Sequence, residues 1–159
     1  MSIGIAASIL GAQAIGAGRS HQLWTITRTA LVLNAIIAGM GVLIVYLLSG
    51  PIVSMFITDP PVMELTQHLL HIVLWSTVVF GMAVVFSSMM RSSGAVQAPT
   101  AIGIFAIIAV EVPVAVYLSG AIGIDGVWWA YTAAFSAMFV LQGCFYTFVW
   151  RKKAMRALV

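Results

Sequence analysis

Four uninterrupted apolar stretches, residues 29–49, 67–90, 100–118 and 126–150, leave this chain of 159 residues few ways to fold. A helix needs about 20 apolar residues to cross ~30 Å of hydrocarbon, and each stretch reaches about that length. A backbone in lipid must satisfy its own hydrogen bonds, so only helices and closed barrels cross. The runs are continuous rather than alternating, which selects helices over a barrel. The expected fold class is all-α: a polytopic transmembrane helical bundle, four full spans plus a partial N-terminal span. Charged residues make up 7% of the chain and hydrophobic ones 62%, against about 25% charged in a soluble domain. Every loop is short, and no separate soluble domain is expected.

The few charges are ordered. When the spans are threaded up and down, Arg19 and Arg28 precede the first and Arg91 falls between the second and third. Arg151, Lys152, Lys153 and Arg156 follow the fourth. All seven cations then lie on one side, while Asp59, Glu64 and Asp125 lie on the other. Lys and Arg in short loops set topology, so both tails are expected on the cytoplasmic side of the plasma (inner) membrane. The net charge of +3 reads as an anchor touching anionic lipid head groups, and no nucleic-acid partner is implied. Cys144, the one cysteine, lies inside a span and is expected as a small packing residue.

The front of the chain differs from the rest. Residues 3–15 are apolar but too short to cross. A signal peptide would need a positive n-region, which is missing, and cleavage near Ala12-Gln13-Ala14 would put Arg19 and Arg28 outside. A re-entrant segment is a second reading. The preferred one makes residues 1–18 the last half of a membrane helix and its cytoplasmic turn, and residues 19–159 a four-span unit. Residues 19–28 are amphipathic and are expected at the interface, feeding the first span.

Turn chemistry punctuates the rest. Gly50-Pro51 marks the outer end of the first span. Asp59-Pro60-Pro61 reads as a helix start, with the Asp59 side chain accepting from free amides and Glu64 facing the positive end of the dipole. Arg91-Ser92-Ser93-Gly94 is a cytoplasmic turn, Pro99 suits the first turn of the third span, and residues 120–126 form an outer turn. Trp128, Trp129 and Trp150 mark the two interfaces. Ala130 with Ala134, and Ala133 with Ala137, offer small faces for close helix packing.

Glu111 is the most informative residue. It lies 11 residues beyond Thr100, or ~16 Å at 1.5 Å per residue, near the bilayer midplane. A carboxylate at that depth is costly and is kept for an ion or substrate path or for pairing inside the bundle; structural tolerance is the competing reading. Pro113 leaves the carbonyl of Ala109 without its usual donor, and Glu111 or a water is a candidate to satisfy it. Asn34, Thr77, Thr132, Ser136 and Gln142 are uncharged polar groups within spans, expected to bond their own helix or a neighbour. Phe80, Met82, Phe86, Met89 and Met90 suit plastic apolar binding as well as ordinary packing. Glu64, His68 and His71 share one helix face, either as a metal trio or as a surface group. The chain has no HExxH, GxSxG or P-loop, so an enzyme is not expected, and any driving force must come from an ion gradient.

Four motifs in order then resemble one family. Gly11-Ala12-Gln13 through Gly16-Ala17-Gly18-Arg19 resembles the Gly-Gln…Gly-Ala-Gly turn of multidrug and toxic compound extrusion (MATE) transporters. Phe56-Ile57-Thr58-Asp59-Pro60 resembles the motif before their tenth helix. Met90-Arg91-Ser92-Ser93-Gly94 with Pro99 resembles the turn ending it. Pro113 to Leu118, then Gly123 to Ala130 with Gly126 within it, resembles the stretch joining the last two helices. The resemblance implies the end of helix eight followed by helices nine to twelve of a two-lobe antiporter. That transporter exchanges Na⁺ or H⁺ for amphipathic, often cationic organic compounds, with no bound cofactor. The implied partners are the lipid bilayer and a missing N-terminal lobe and seventh helix. Ala14 departs from the motif, and Val79-Phe80-Gly81 carries no acid where sodium-coupled members have one. A small four-helix structural or assembly subunit is the alternative.

Overall fold

The computed structural model describes residues 2–152. The cations Lys153 and Arg156 lie outside the described residues. Helices α1 (Ser2–Gly16), α2 (Leu23–Leu47), α3 (Ser49–Ser54), α4 (Pro60–Arg91), α5 (Gln97–Ala106), α6 (Val112–Ile122) and α7 (Ile124–Phe145) account for most of them. A 3₁₀ turn at Ser20–Gln22 opens α2, and π-helical segments at Ile107–Glu111 and Tyr146–Trp150 join α5 to α6 and extend α7. Four continuous helical runs are long and apolar enough to cross a membrane: Ser20–Leu47, Pro60–Arg91, Gln97–Ile122 and Ile124–Trp150. The expected four-span helical bundle is therefore what forms, with the shorter apolar α1 beside it.

Helix α4 is the axis. It packs on α1, α2 and α7, while α5 and α6 pack chiefly on α7. Its 32 residues make a rod of ~48 Å, longer than the hydrocarbon core, so the helix projects or tilts. The described residues of α1 run beside its second half: Gly4 faces Val84 and Ser88, and Gly11 faces Met89 and Ser92. The buried core lies at this end, built from Leu23, Ala30, Phe86, Met89, Met90 and Tyr146 with the faces of Ala7 and Ala14.

Several boundaries move. Residues 23–28 do not form a separate interfacial segment; α2 already begins at Leu23, and both Leu23 and Thr27 are fully buried. Gly50-Pro51 does not end a span but lies inside the short helix α3. Asp59 is the residue before α4 and its carbonyl takes the Met63 amide at 2.9 Å, yet its side chain caps nothing. Pro60 and Pro61 occupy N1 and N2, so of the amides a cap would serve only that of Val62 remains. Glu64 lies past the first turn, too far along to meet the dipole end. The outer turn at 120–126 shrinks to Gly123, whose φ of 70° lets α6 pass directly into α7. Ala130 and Ala134 are buried, whereas Ala133 and Ala137 are only partly covered, so the first pair makes the tight face. Cys144 is exposed, not packed, because this stretch of α7 turns Gly143 rather than Cys144 toward Phe86.

Candidate functional site

The described charges separate along the bundle. Arg19, Arg91 and Arg151 gather at the end where α1 and α4 finish and the last π segment stops, and Arg151 lies 5.4 Å over the Trp24 ring. Asp59 and Asp125 belong to the other end, where His68 Nε2 approaches Asp125 Oδ2 at 3.2 Å. His71 turns elsewhere: Nε2 meets Ser49 Oγ at 3.1 Å and the ring stacks on Tyr46 at 4.1 Å. His68 and His71 thus go to different neighbours, and no metal-sized cluster that includes Glu64 forms among the described residues.

The cation-bearing end is clasped by buried polar contacts. Thr27 Oγ1 and the Tyr146 hydroxyl are 2.6 Å apart, and Thr27 also donates to the Leu23 carbonyl at 2.7 Å. Trp150 Nε1 donates to Ser93 Oγ at 2.8 Å. Both aromatics sit in the π-helical segment Tyr146–Trp150 and stack on each other at 5.1 Å. The widened winding sets them one above the other, so a single face of the chain's last described turns reaches both α2 and the turn after α4. Residue-by-residue reading did not find this clasp. Its signal was the pairing of amphipathic aromatics with Thr and Ser at matching depths.

Between α1 and α5 a cavity of about 360 Å³ opens over α4. Ser87, Ser88 and Arg91 of α4, Pro99, Thr100 and Gly103 of α5, and Met138 and Gln142 of α7 line it. Phe80 also lines it and lies tilted against Phe135, with ring centroids 4.7 Å apart. Gln142 is 3% exposed and its Oε1 has no hydrogen-bond partner.

The candidate residues distribute unevenly. Asn34 of α2 is buried against Gly81, with Nδ2 where a Cβ on residue 81 would lie, so it shares a level of α4 with Phe80 and Met82. Met82 is half-buried and does not line the cavity. Thr77 is exposed and bonds the Val73 carbonyl of its own helix at 3.3 Å, as Ser136 bonds that of Thr132 at 2.7 Å. Asn34 Nδ2, Thr132 Oγ1 and Gln142 Oε1 do not follow that expectation and have no partner among the described residues. Glu111 is half-buried on the segment that packs against α7, and the one ion pair among the described residues does not include it. Pro113 is absorbed differently from expectation. The chain before it winds as a π-helix, with the Val112 amide bonding the Ile107 carbonyl, so the helix widens where the proline ring would clash.

Most of the motif positions lie at turns and helix ends. Gln13 and Gly16 are exposed near the end of α1. Gly18 and Gly94, at φ of 68° and 81°, turn the chain out of α1 and α4. Pro99 is fully buried in the first turn of α5. A Cβ at Gly126 would overlap the Leu118 carbonyl and the Ser119 amide, so this glycine is what lets α6 and α7 touch.

Comparison with known proteins supplies the family. The MatE family profile matches residues 1–117. The chain belongs to the MatE family. Along its whole length this MatE chain is 43% identical to the probable multidrug resistance protein YoeA of Bacillus subtilis (strain 168), covering 35% of that protein. Its fold resembles the crystal structure of the eukaryotic MATE transporter AtDTX14 at a TM-score of 0.83 and 24% identity, over 99% of this chain and 37% of that one. The MatE chain therefore spans about a third of the length of the relatives it matches. It is a multi-pass membrane protein.

Proposed function

We propose that these residues form the C-terminal part of a multidrug efflux transporter. Residues 1–18 are the end of its eighth helix, and residues 19–159 hold helices nine to twelve. The observation that carries this reading is the 43% identity, along the entire chain, to a protein named for probable multidrug resistance. The order of four family motifs supports it. The intact protein works as a secondary antiporter rather than an enzyme, exchanging Na⁺ or H⁺ for amphipathic organic compounds by rocking of two lobes. It lies in the plasma membrane with the cation-bearing end of the bundle in the cytoplasm, as the segregation of Arg19, Arg91 and Arg151 from Asp59 and Asp125 favours.

Asn34, Phe80 and Met82 form the level of α4 where an amphipathic compound passes, Thr77 lies one turn further along it, and Glu111 is the membrane-depth carboxylate available for ion coupling. The 159 residues alone carry no transport, because one lobe cannot alternate against another that is missing. The test is efflux of ethidium from a pump-deficient bacterium expressing either these residues or the full reading frame that contains them. Efflux from the full frame only is expected. Ethidium resistance from the 159 residues alone would overturn the reading. Absence of further apolar spans encoded upstream would overturn it as well.

A further inference from the structure

The cavity between α1 and α5 has a one-sided chemistry. Its single charge is Arg91, which has no ion-pair partner among the described residues. No acid lines it: Asp59, Glu64, Glu111 and Asp125 all lie outside. An organic cation entering here would meet only a like charge, which is the repulsive element that discriminates between ligands. From Arg91 the wall runs 11 residues along α4 to Phe80, or ~16 Å, becoming apolar on the way. Gln142 adds a buried acceptor that nothing among the described residues satisfies, and leaving such a group unmade is costly. The volume of about 360 Å³ falls at the lower end of the ~300–1,000 Å³ that drug-sized ligands occupy.

We propose that this cavity binds a drug-sized amphipathic organic anion, with Arg91 as its counter-charge and Gln142 accepting a hydrogen bond from it. The anionic head sits at the mouth among the Ser87 and Ser88 hydroxyls. The apolar body lies toward Phe80 and Met138. The inference goes beyond the transport reading: it adds an anion site whose occupant need not be the exported compound, and its test is binding, so it fails or holds separately from efflux.

The probe is dansylglycine, whose N–H lies one carbon from the carboxylate, compared with its methyl ester, on the full-length protein in nanodiscs of zwitterionic lipid. The sulfonamide N–H supplies the donor for Gln142. A Cβ at Gly103 would lie at ordinary contact distance, 3.8 Å, from Met138 Cε, so Gly103→Leu adds bulk to the cavity lining and narrows it, and the signal it abolishes is the cavity's own. In that signal the acid is expected to bind at least tenfold more tightly than the ester. Arg91→Gln removes the preference and Arg91→Lys retains most of it. Lys152→Gln, outside the cavity, leaves it unchanged. Gln142→Leu weakens acid and ester alike. Equal binding of acid and ester by the unaltered protein overturns the proposal, a result that needs no variant to fold. Displacement of the probe by rhodamine 6G but not by decanoate also overturns it, as does binding that survives Gly103→Leu. Displacement only by phosphatidylglycerol in the disc would assign the site to lipid and overturn it too.

Discussion

At the residue scale, the tightest demands fall on positions with little side chain or with a buried hydroxyl. Gly126 is one: Leu118 and Ser119 leave no space for a methyl group. Gly126→Ala is expected to cost about 1–3 kcal/mol, as overpacking does, and to lower the SDS fraction at which the bundle unfolds. Gly39, with nothing within 4 Å, is the matched control, and its alanine variant should be neutral or slightly stabilising. The Thr27–Tyr146 contact is the other. A double-mutant cycle of Thr27→Val and Tyr146→Phe should give a coupling of about 1 kcal/mol, within the range measured for hydrogen bonds between membrane helices. A coupling near zero would mean that the 2.6 Å contact is not formed in lipid. The His68–Asp125 pair should contribute at most about 1 kcal/mol, since both groups are partly exposed.

At the scale of elements, the helices differ in how much of the bundle holds them. The run Gln97–Ile122 buries little of itself, with 6% of its apolar window covered, against 22% for Pro60–Arg91. It is interrupted by the π-helical segment before Pro113 and leans chiefly on α7. Local opening follows contact density. In detergent micelles, amide exchange is therefore expected to be faster over 97–122 than over 76–90, where Ser76, Ala83, Val85, Met89 and Met90 are buried. Equal protection of the two runs would show that the open face of α5 and α6 is covered by something beyond these residues. Glu111→Gln tests the same element. Glu111 has no ion pair among the described residues, so the change should move stability by less than about 0.5 kcal/mol. Ethidium efflux by the full-length protein should fall strongly if Glu111 carries the ion. A large loss of stability instead would make it a structural group.

At the scale of the whole molecule, the four spans, their order and the segregation of charge were legible in the residues, because membrane solvation acts on composition and length alone. So were the chain reversal at Gly94, the helix start at Pro99, and a reversal somewhere within 120–126, though not its narrowing to Gly123. The α2–α7 clasp was not legible, since Thr27 and Tyr146 are 119 residues apart and either residue alone looks like ordinary span polarity. Nor was the division among Asn34, Thr77, Thr132, Ser136 and Gln142. Each is a polar group in an apolar helix, and only the neighbour it faces decides whether it bonds its own backbone or stays unpartnered. Sequence by itself determined that this chain is a helical membrane bundle of the MatE kind, because hydrophobic length, turn residues and motif order are local properties. Tertiary structure alone decided that α4 is the axis, that Gly126 permits the α6–α7 contact, and that Arg91 and Gln142 share one cavity. Those facts depend on which faces of separate helices meet, and helix faces are chosen by packing rather than by composition.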